Sequence, residues 1–403
     1  MPGASARDRQ LLMEVERGNL NAVKKLLAGG ANVNGSNVLD NRPLFAAARA
    51  GNATMLKLLI SKGADLELES RFPGGRAVHA AISGERLDAL RVLIESGVNL
   101  NSKDSDGQTP LMLTSLAVTG SYMAEELLRA GANPAVGNHQ GMTALHVAAG
   151  LDNTLVMGVI LAKAPSLLNA LDGQGFTAMG TASLRGQKRA VSFLLEAGAS
   201  DRDTNPERGS ILWAADGGHD DMVHMMLEHD IDRVGGLHAI PNAMGVAIQG
   251  GKAKMLQRLI SVEGEEKRQA WAECILRQSP ALHVAAVWCS LRPMHVLLAA
   301  GAREEAMNVE GKRASDVIGA AREPFERDSK KEAAMLRMLQ RGPAFRARSW
   351  AWSTEVIASG VNVVKRSNDV APPTPLGHPV RVYRSTGTRA FATRFARYAE
   401  KKK

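Results

Sequence analysis

Cysteine is nearly missing from this chain of 403 residues: only Cys274 and Cys289 occur. Two thiols cannot build a disulfide framework, so stability must come from a packed apolar core, and a reducing compartment is expected. Aromatic residues are also scarce, at 4%. The core must then be made of Leu, Ala, Val, Ile and Met, which suits closely packed helices better than an aromatic-rich sandwich. No window approaches about 18 uninterrupted apolar residues, which argues against a membrane-spanning helix. The stretch Met1 to Asp8 leads into no apolar run of the kind a secretory signal needs. A cytoplasmic or nuclear location is the expectation from these absences.

What is present is ordinary for a soluble folded protein: 45% hydrophobic and 23% charged residues. The charge, however, is unevenly placed. Residues 343–403 hold 12 Lys/Arg and 3 Asp/Glu, a net of +9, which equals the formal charge of the whole chain. The first 342 residues are therefore formally neutral, and any attraction to an acidic partner belongs to the tail.

Internal self-similarity organises the neutral part. Arg42-Pro43-Leu44-Phe45-Ala46-Ala47-Ala48, Thr143-Ala144-Leu145-His146-Val147-Ala148-Ala149 and Ala281-Leu282-His283-Val284-Ala285-Ala286 are versions of one pattern. An amphipathic stretch follows each. Glycines that close these stretches fall at Gly30, Gly63, Gly97, Gly131, Gly198 and Gly301, and successive units are spaced by about 33 or 34 residues. This pattern resembles the ankyrin-repeat family over roughly residues 9–342, in about nine units. The resemblance implies an all-α solenoid of stacked helix-turn-helix units with projecting finger loops, used to recognise proteins, followed by a mostly irregular basic tail. The domain boundaries that follow are 1–342 for the array with its caps and 343–403 for linker and tail.

The physical reading agrees. Small Ala-Ala pairs let first helices pack closely. Met55, Leu58 and Leu59 form an apolar stripe on a second helix. The closing glycine stops that helix in a left-handed conformation. Asp104-Ser105-Asp106-Gly107 and Asn138-His139-Gln140-Gly141 supply finger turns. The fourth unit carries an insertion at Gly120-Ser121, the eighth begins without Thr-Pro at Asn242, and a charged connection, Glu265-Glu266-Lys267-Arg268, precedes the ninth. The ends read as polar caps: Arg9 to Gly30 at the start, with Arg9, Glu14, Glu16 and Arg17 on its first helix, and a worn repeat start at Gly311 to Ile318 followed by a helix over Lys330 to Gln340. Trp213 is expected in the core, and Trp350 and Trp352 against the final cap.

Beyond Gly342, Ala371-Pro372-Pro373-Thr374-Pro375 reads as linker. The last segment has two readings. It is either a solvated tail or a basic amphipathic helix, with Arg389, Phe391, Arg394, Phe395, Arg397 and Tyr398 as the residues that would hold an anionic membrane surface or nucleic acid.

Catalytic and cofactor chemistry is not expected. His219, His224 and His229 are five apart, so on a helix they do not share a face and make a poor metal set. His146 and His283 occupy a repeat position where the resemblance implies a ring bonded to finger backbone. Gly173-Gln174-Gly175 lacks a preceding strand and a correctly placed third glycine for phosphate binding. Asp104 to Gly107 lacks the later ligands of a calcium loop. Cys289 replaces a turn glycine and reads as packing. Neither enzyme activity nor a cofactor, metal or small-molecule substrate is therefore expected.

The family's contact surface is the concave side: finger tips and the residues after each Ala-Ala pair. Carried onto this sequence, that gives Arg49, Ile82, Leu116, Met142, Leu151, Phe176, Leu184, Arg185 and Trp288 as candidate partner-binding residues. The apolar ones either form an interaction patch around units three to six or simply cover seams between repeats. The expected role is a protein-interaction scaffold or adaptor; the alternative is a protein tethered by its basic tail.

Overall fold

The computed structural model describes residues 6–37, 40–71, 74–201, 209–229, 236–261, 271–272, 275–276, 279–320 and 329–340. The chain divides into two units, Met1–Ile357 and Ala358–Lys403, and every described residue lies in the first.

Helices come in pairs. The pairs are α1 (Ala6–Glu16) with α2 (Leu20–Ala28), α3 (Pro43–Ala50) with α4 (Ala53–Ser61), α5 (Ala77–Ser83) with α6 (Leu87–Glu95), and α7 (Pro110–Leu113) with α8 (Gly120–Arg129). They continue with α9 (Ala144–Gly150) and α10 (Thr154–Lys163), α11 (Ala178–Leu184) and α12 (Lys188–Glu196), and α13 (Ser210–Gly217) and α14 (Asp220–His229). The series ends with α15 (Gly236–Gln249) and α16 (Ala253–Ile260), α17 (Ala281–Val287) and α18 (Leu291–Ala299), and a closing helix α19 (Ser329–Leu339). First helices pack on first helices and second on second, as in α3 on α5, α11 on α13, α4 on α6 and α8 on α10. One pair cannot hide both its faces, so stacking builds a continuous core. Ala47, Ala48, Ala148, Ala149, Ala285 and Ala286 are fully buried within it. The architecture is the expected all-α solenoid. The one described sheet is a short ribbon, β1 (Ile275–Leu276) with β2 (Ser279–Pro280), just before α17.

Helix ends follow from local chemistry. Asn19, Asn52 and Asn153 cap second helices by accepting the backbone N–H three residues on. Gly63 takes φ +85° and lets the Ala64 N–H reach back to the Leu59 carbonyl, which closes α4. The turn between paired helices also needs a left-handed residue. Gly51 serves there at φ +81°, but Glu85, Asp152 and Cys289 hold the same place at +53° to +58°. Cys289 is buried with its sulfur 3.5 Å from that of Met335 on α19, so it packs the cap.

The fourth unit departs from the pattern. Its first helix α7 is cut to Pro110–Leu113 and continues as one turn of 3₁₀-helix over Thr114–Leu116. The inserted Gly120 lies against the Thr114 carbonyl oxygen, where any side chain would collide. In the eighth unit the first helix starts upstream of Asn242 and runs through Pro241.

Candidate functional site

Four fingers are each folded by one carboxylate or amide. Asp104, Asn138, Asp172 and Asn308 each accept two backbone N–H groups from the turn that follows, at 2.8–3.0 Å. The oxygens of Asp104 are thus engaged with Asp106 and Gln108, and Gly173-Gln174-Gly175 is the finger turn of Asp172. Among the described residues no group of three or more His, Cys, Asp or Glu could hold a metal ion. His224 instead lies 3.2 Å from Glu228, one turn on.

Three repeat histidines each tie their unit to the next finger. His79 Nε2 lies 3.1 Å from the Ser102 carbonyl, His146 Nε2 3.0 Å from that of Phe176, and His283 Nε2 2.9 Å from that of Lys312. In the first two, Nδ1 accepts the backbone N–H of Arg76 or Thr143 at 3.2 Å. That leaves Nε2 as the protonated nitrogen, donating to the next finger. Pro280 has no N–H, so His283 Nδ1 is buried without a partner. Burial drives His79 from 6.5 to about 4, and burial also lowers His146. A second ladder runs along the base of the fingers. Asn34, Glu67, Asn101 and Asn169 accept the backbone N–H of Asp65, Asn99, Asn133 and Ser200, each one unit on, at 2.8–2.9 Å.

These constraints fix the register of the first helices, and the register decides which candidate residues reach the surface. Counted from the residue in the place of Thr143, Ile82 falls in the column of Ala149 and is 0% exposed. The expectation took Ala80-Ala81 as the inward pair; the pair is Ala81-Ile82, so Ile82 belongs to the core. Met142, 7% exposed, is likewise withdrawn from the surface. Leu151 packs against the core and Arg185 lies over the preceding unit, its Nη1 3.5 Å from the Gly150 carbonyl, so both cover a seam. Desolvation lowers the Arg185 pKa. Arg49 is exposed, and Leu116, Phe176, Leu184 and Trp288 are half-buried.

The same count corrects Trp213. It stands in the column of Val147, not of the buried leucine, and its indole is half-buried on the first-helix face. There it meets Phe176, with ring centroids 4.8 Å apart and planes tilted by 45°. Asp201 was also missed. It is buried, accepts the Thr177 hydroxyl at 2.8 Å and the Ser210 N–H at 2.7 Å, and burial raises its pKa. An Asp after Gly198-Ala199-Ser200 gives no sequence signal of that. The tail residues Arg389, Phe391, Arg394, Phe395, Arg397 and Tyr398 lie outside the described residues, as do Trp350, Trp352 and the Glu265 to Arg268 connection. No described helix is long and apolar enough to cross a membrane.

The family model described as ankyrin repeats (3 copies) matches residues 11–104 and 111–208. The chain is 32% identical to human ankyrin repeat and SOCS box protein 16 over 216 residues, half of this chain and 45% of that protein. It is 31% identical to the neurogenic locus notch homolog protein 1 of Xenopus laevis over 151 residues, 37% of this chain and 6% of that protein. It is also 32% identical to the chicken nuclear factor NF-kappa-B p105 subunit over 143 residues, 35% of this chain and 14% of that protein. The chain thus spans less than half the length of each of these relatives. Recurrent units, paired helices with Asx-folded fingers, and the family match converge: residues 11–104 and 111–208 are ankyrin repeats, the paired-helix stack continues beyond them in the same all-α solenoid, and repeats of this kind indicate a protein-interaction domain.

Proposed function

We propose that this protein is a scaffold or adaptor without catalytic activity, holding a segment of another protein between the first-helix face and the fingers. The observation that carries this reading is the Phe176–Trp213 pair on that face, with Leu184 half-buried at the end of α11 and Leu116 half-buried in the fourth unit. Side chains of this size at the surface of a folded stack mark contact sites, and aromatic residues are enriched in interface cores.

The test is affinity capture with the full chain and a Trp213→Glu, Leu184→Glu double variant whose helicity matches wild type by circular dichroism. A specific partner that is lost from the variant supports the reading. A captured set that does not change overturns it. Salt separates the face from the basic tail: binding by the apolar face changes little with ionic strength, whereas binding by the tail falls steeply.

A further inference from the structure

Second helices of this array turn a charged or polar stripe to solvent, except one. At the first outward position stand Thr54, Asp88, Arg189, Asp221, Lys254 and Arg292, all exposed. The same position holds Leu155 on α10, 70% exposed, and Tyr122 on the adjoining α8, 65% exposed. One turn on, Lys57, Arg91, Glu125, Ser192 and Gln257 are matched on α10 by Gly158, and two turns on α10 presents the exposed Ala162. Thr154 and Lys163, at its two ends, are the only polar residues α10 has. An amphipathic helix needs one polar face in water; a helix apolar all round is one whose outer side is covered.

We infer that the outer face of α10 is a self-association surface that pairs with α10 of a second copy of this chain. The flanks argue for a copy as the occupant. On the α8 side Glu125 is the outward carboxylate, shared with Arg129, while Glu126 is also taken by Arg91 of α6; on the α12 side Lys188 and Arg189 outnumber Glu196. Lys188 and Arg189 have no ion-pair partner among the described residues. A two-fold axis lying in the interface and running nearly along α10 exchanges the flanks, so each acidic flank meets the basic flank of the other copy. Gly158 and Ala162 give the close approach two crossing helices require. A strip about 15 Å long and three helices wide at ~10 Å spacing covers about 450 Å² per copy. That is below the usual interface size, so the dimer is expected to be weak and readily dissociating. This surface lies on the second helices and is independent of the binding face proposed above.

Sedimentation velocity of the full chain from about 1 to about 200 μM tests it. The wild type should shift from monomer to dimer, and Leu155→Lys with Ala162→Glu, which restores the polar stripe of the other units, should stay monomeric with an unchanged melting curve. The exposed Arg189→Glu should weaken the dimer by at least about tenfold, and mixing it with Glu125→Lys should recover a heterodimer. A wild type that remains monomeric throughout overturns the inference and leaves the strip to a different protein. So does a double variant, or Arg189→Glu, that dimerises as the wild type does.

Discussion

A buried histidine ring carries much of what one unit says to the next. His79 is neutral in the folded chain because Nδ1 accepts and Nε2 donates, and a second proton on Nδ1 would face the Arg76 N–H. Its pKa falls from 6.5 to about 4 through desolvation. The unfolded chain therefore binds the extra proton first, and stability is lost as pH falls from about 6.5 toward 4. At pH 5 His79 should account for about 2 kcal/mol of that loss. Urea midpoints at pH 7 and pH 5 check this: the difference should shrink in His79→Gln, and an equal difference in both proteins would refute the assignment. The residue scale is also where the sequence misleads. Ala80-Ala81 looks like the small inward pair, yet the histidine three residues after Arg76 sets the count and puts Ile82 inside. Trp213 shows the converse error: it was counted into the buried leucine column, while its column faces outward.

Single elements were more legible than single residues. The closing glycines marked the ends of second helices because a left-handed residue there lets open backbone groups pair, whereas the capping asparagines at their starts became visible only in the structure. The insertion in the fourth unit was visible as an extra Gly-Ser, but its result was not. Gly120 is pressed against the Thr114 carbonyl, and the first helix is shortened to make room. Gly120→Ala should consequently destabilise the protein by about 2 kcal/mol, the usual cost of overpacking a closed site. A melting temperature equal to wild type would count against this reading. The outer face of α10 escaped the sequence reading for a different reason. Ten mostly apolar residues look like any buried helix until the stack shows which side of them faces out.

At the scale of the whole array, stability is distributed by neighbour contacts. The polar ladders are densest from the second to the sixth unit, where histidines, asparagines and Asp201 link successive repeats. Among the described residues the seventh and eighth units are linked by Lys252 to the Ala215 carbonyl at 2.6 Å and Arg258 to that of Asp220 at 3.0 Å, with no histidine at the finger position. Native-state hydrogen exchange should therefore find the slowest amides in α3 to α10 and faster sub-global opening in α13 to α16. Uniform protection along the array would contradict that order. Which protein occupies the first-helix face was never legible, because fingers and helices are built by rules that every unit shares, while a partner is chosen by the few side chains that break them.

The finger-to-finger histidine bond has a mechanical corollary. If the two ends of the array are drawn apart, the units are loaded in series and the load falls on the junctions. Those after His79, His146 and His283 are clamped across the fingers; the unclamped Phe45 and Met112 units alternate with them, Asp201 bridges the Gly180 unit, and Leu212 and Gly245 leave the seventh and eighth units without the histidine clamp in succession. Under tension the array would then yield first near its seventh and eighth units, lengthening in a step there while the amino-terminal units still hold their shape.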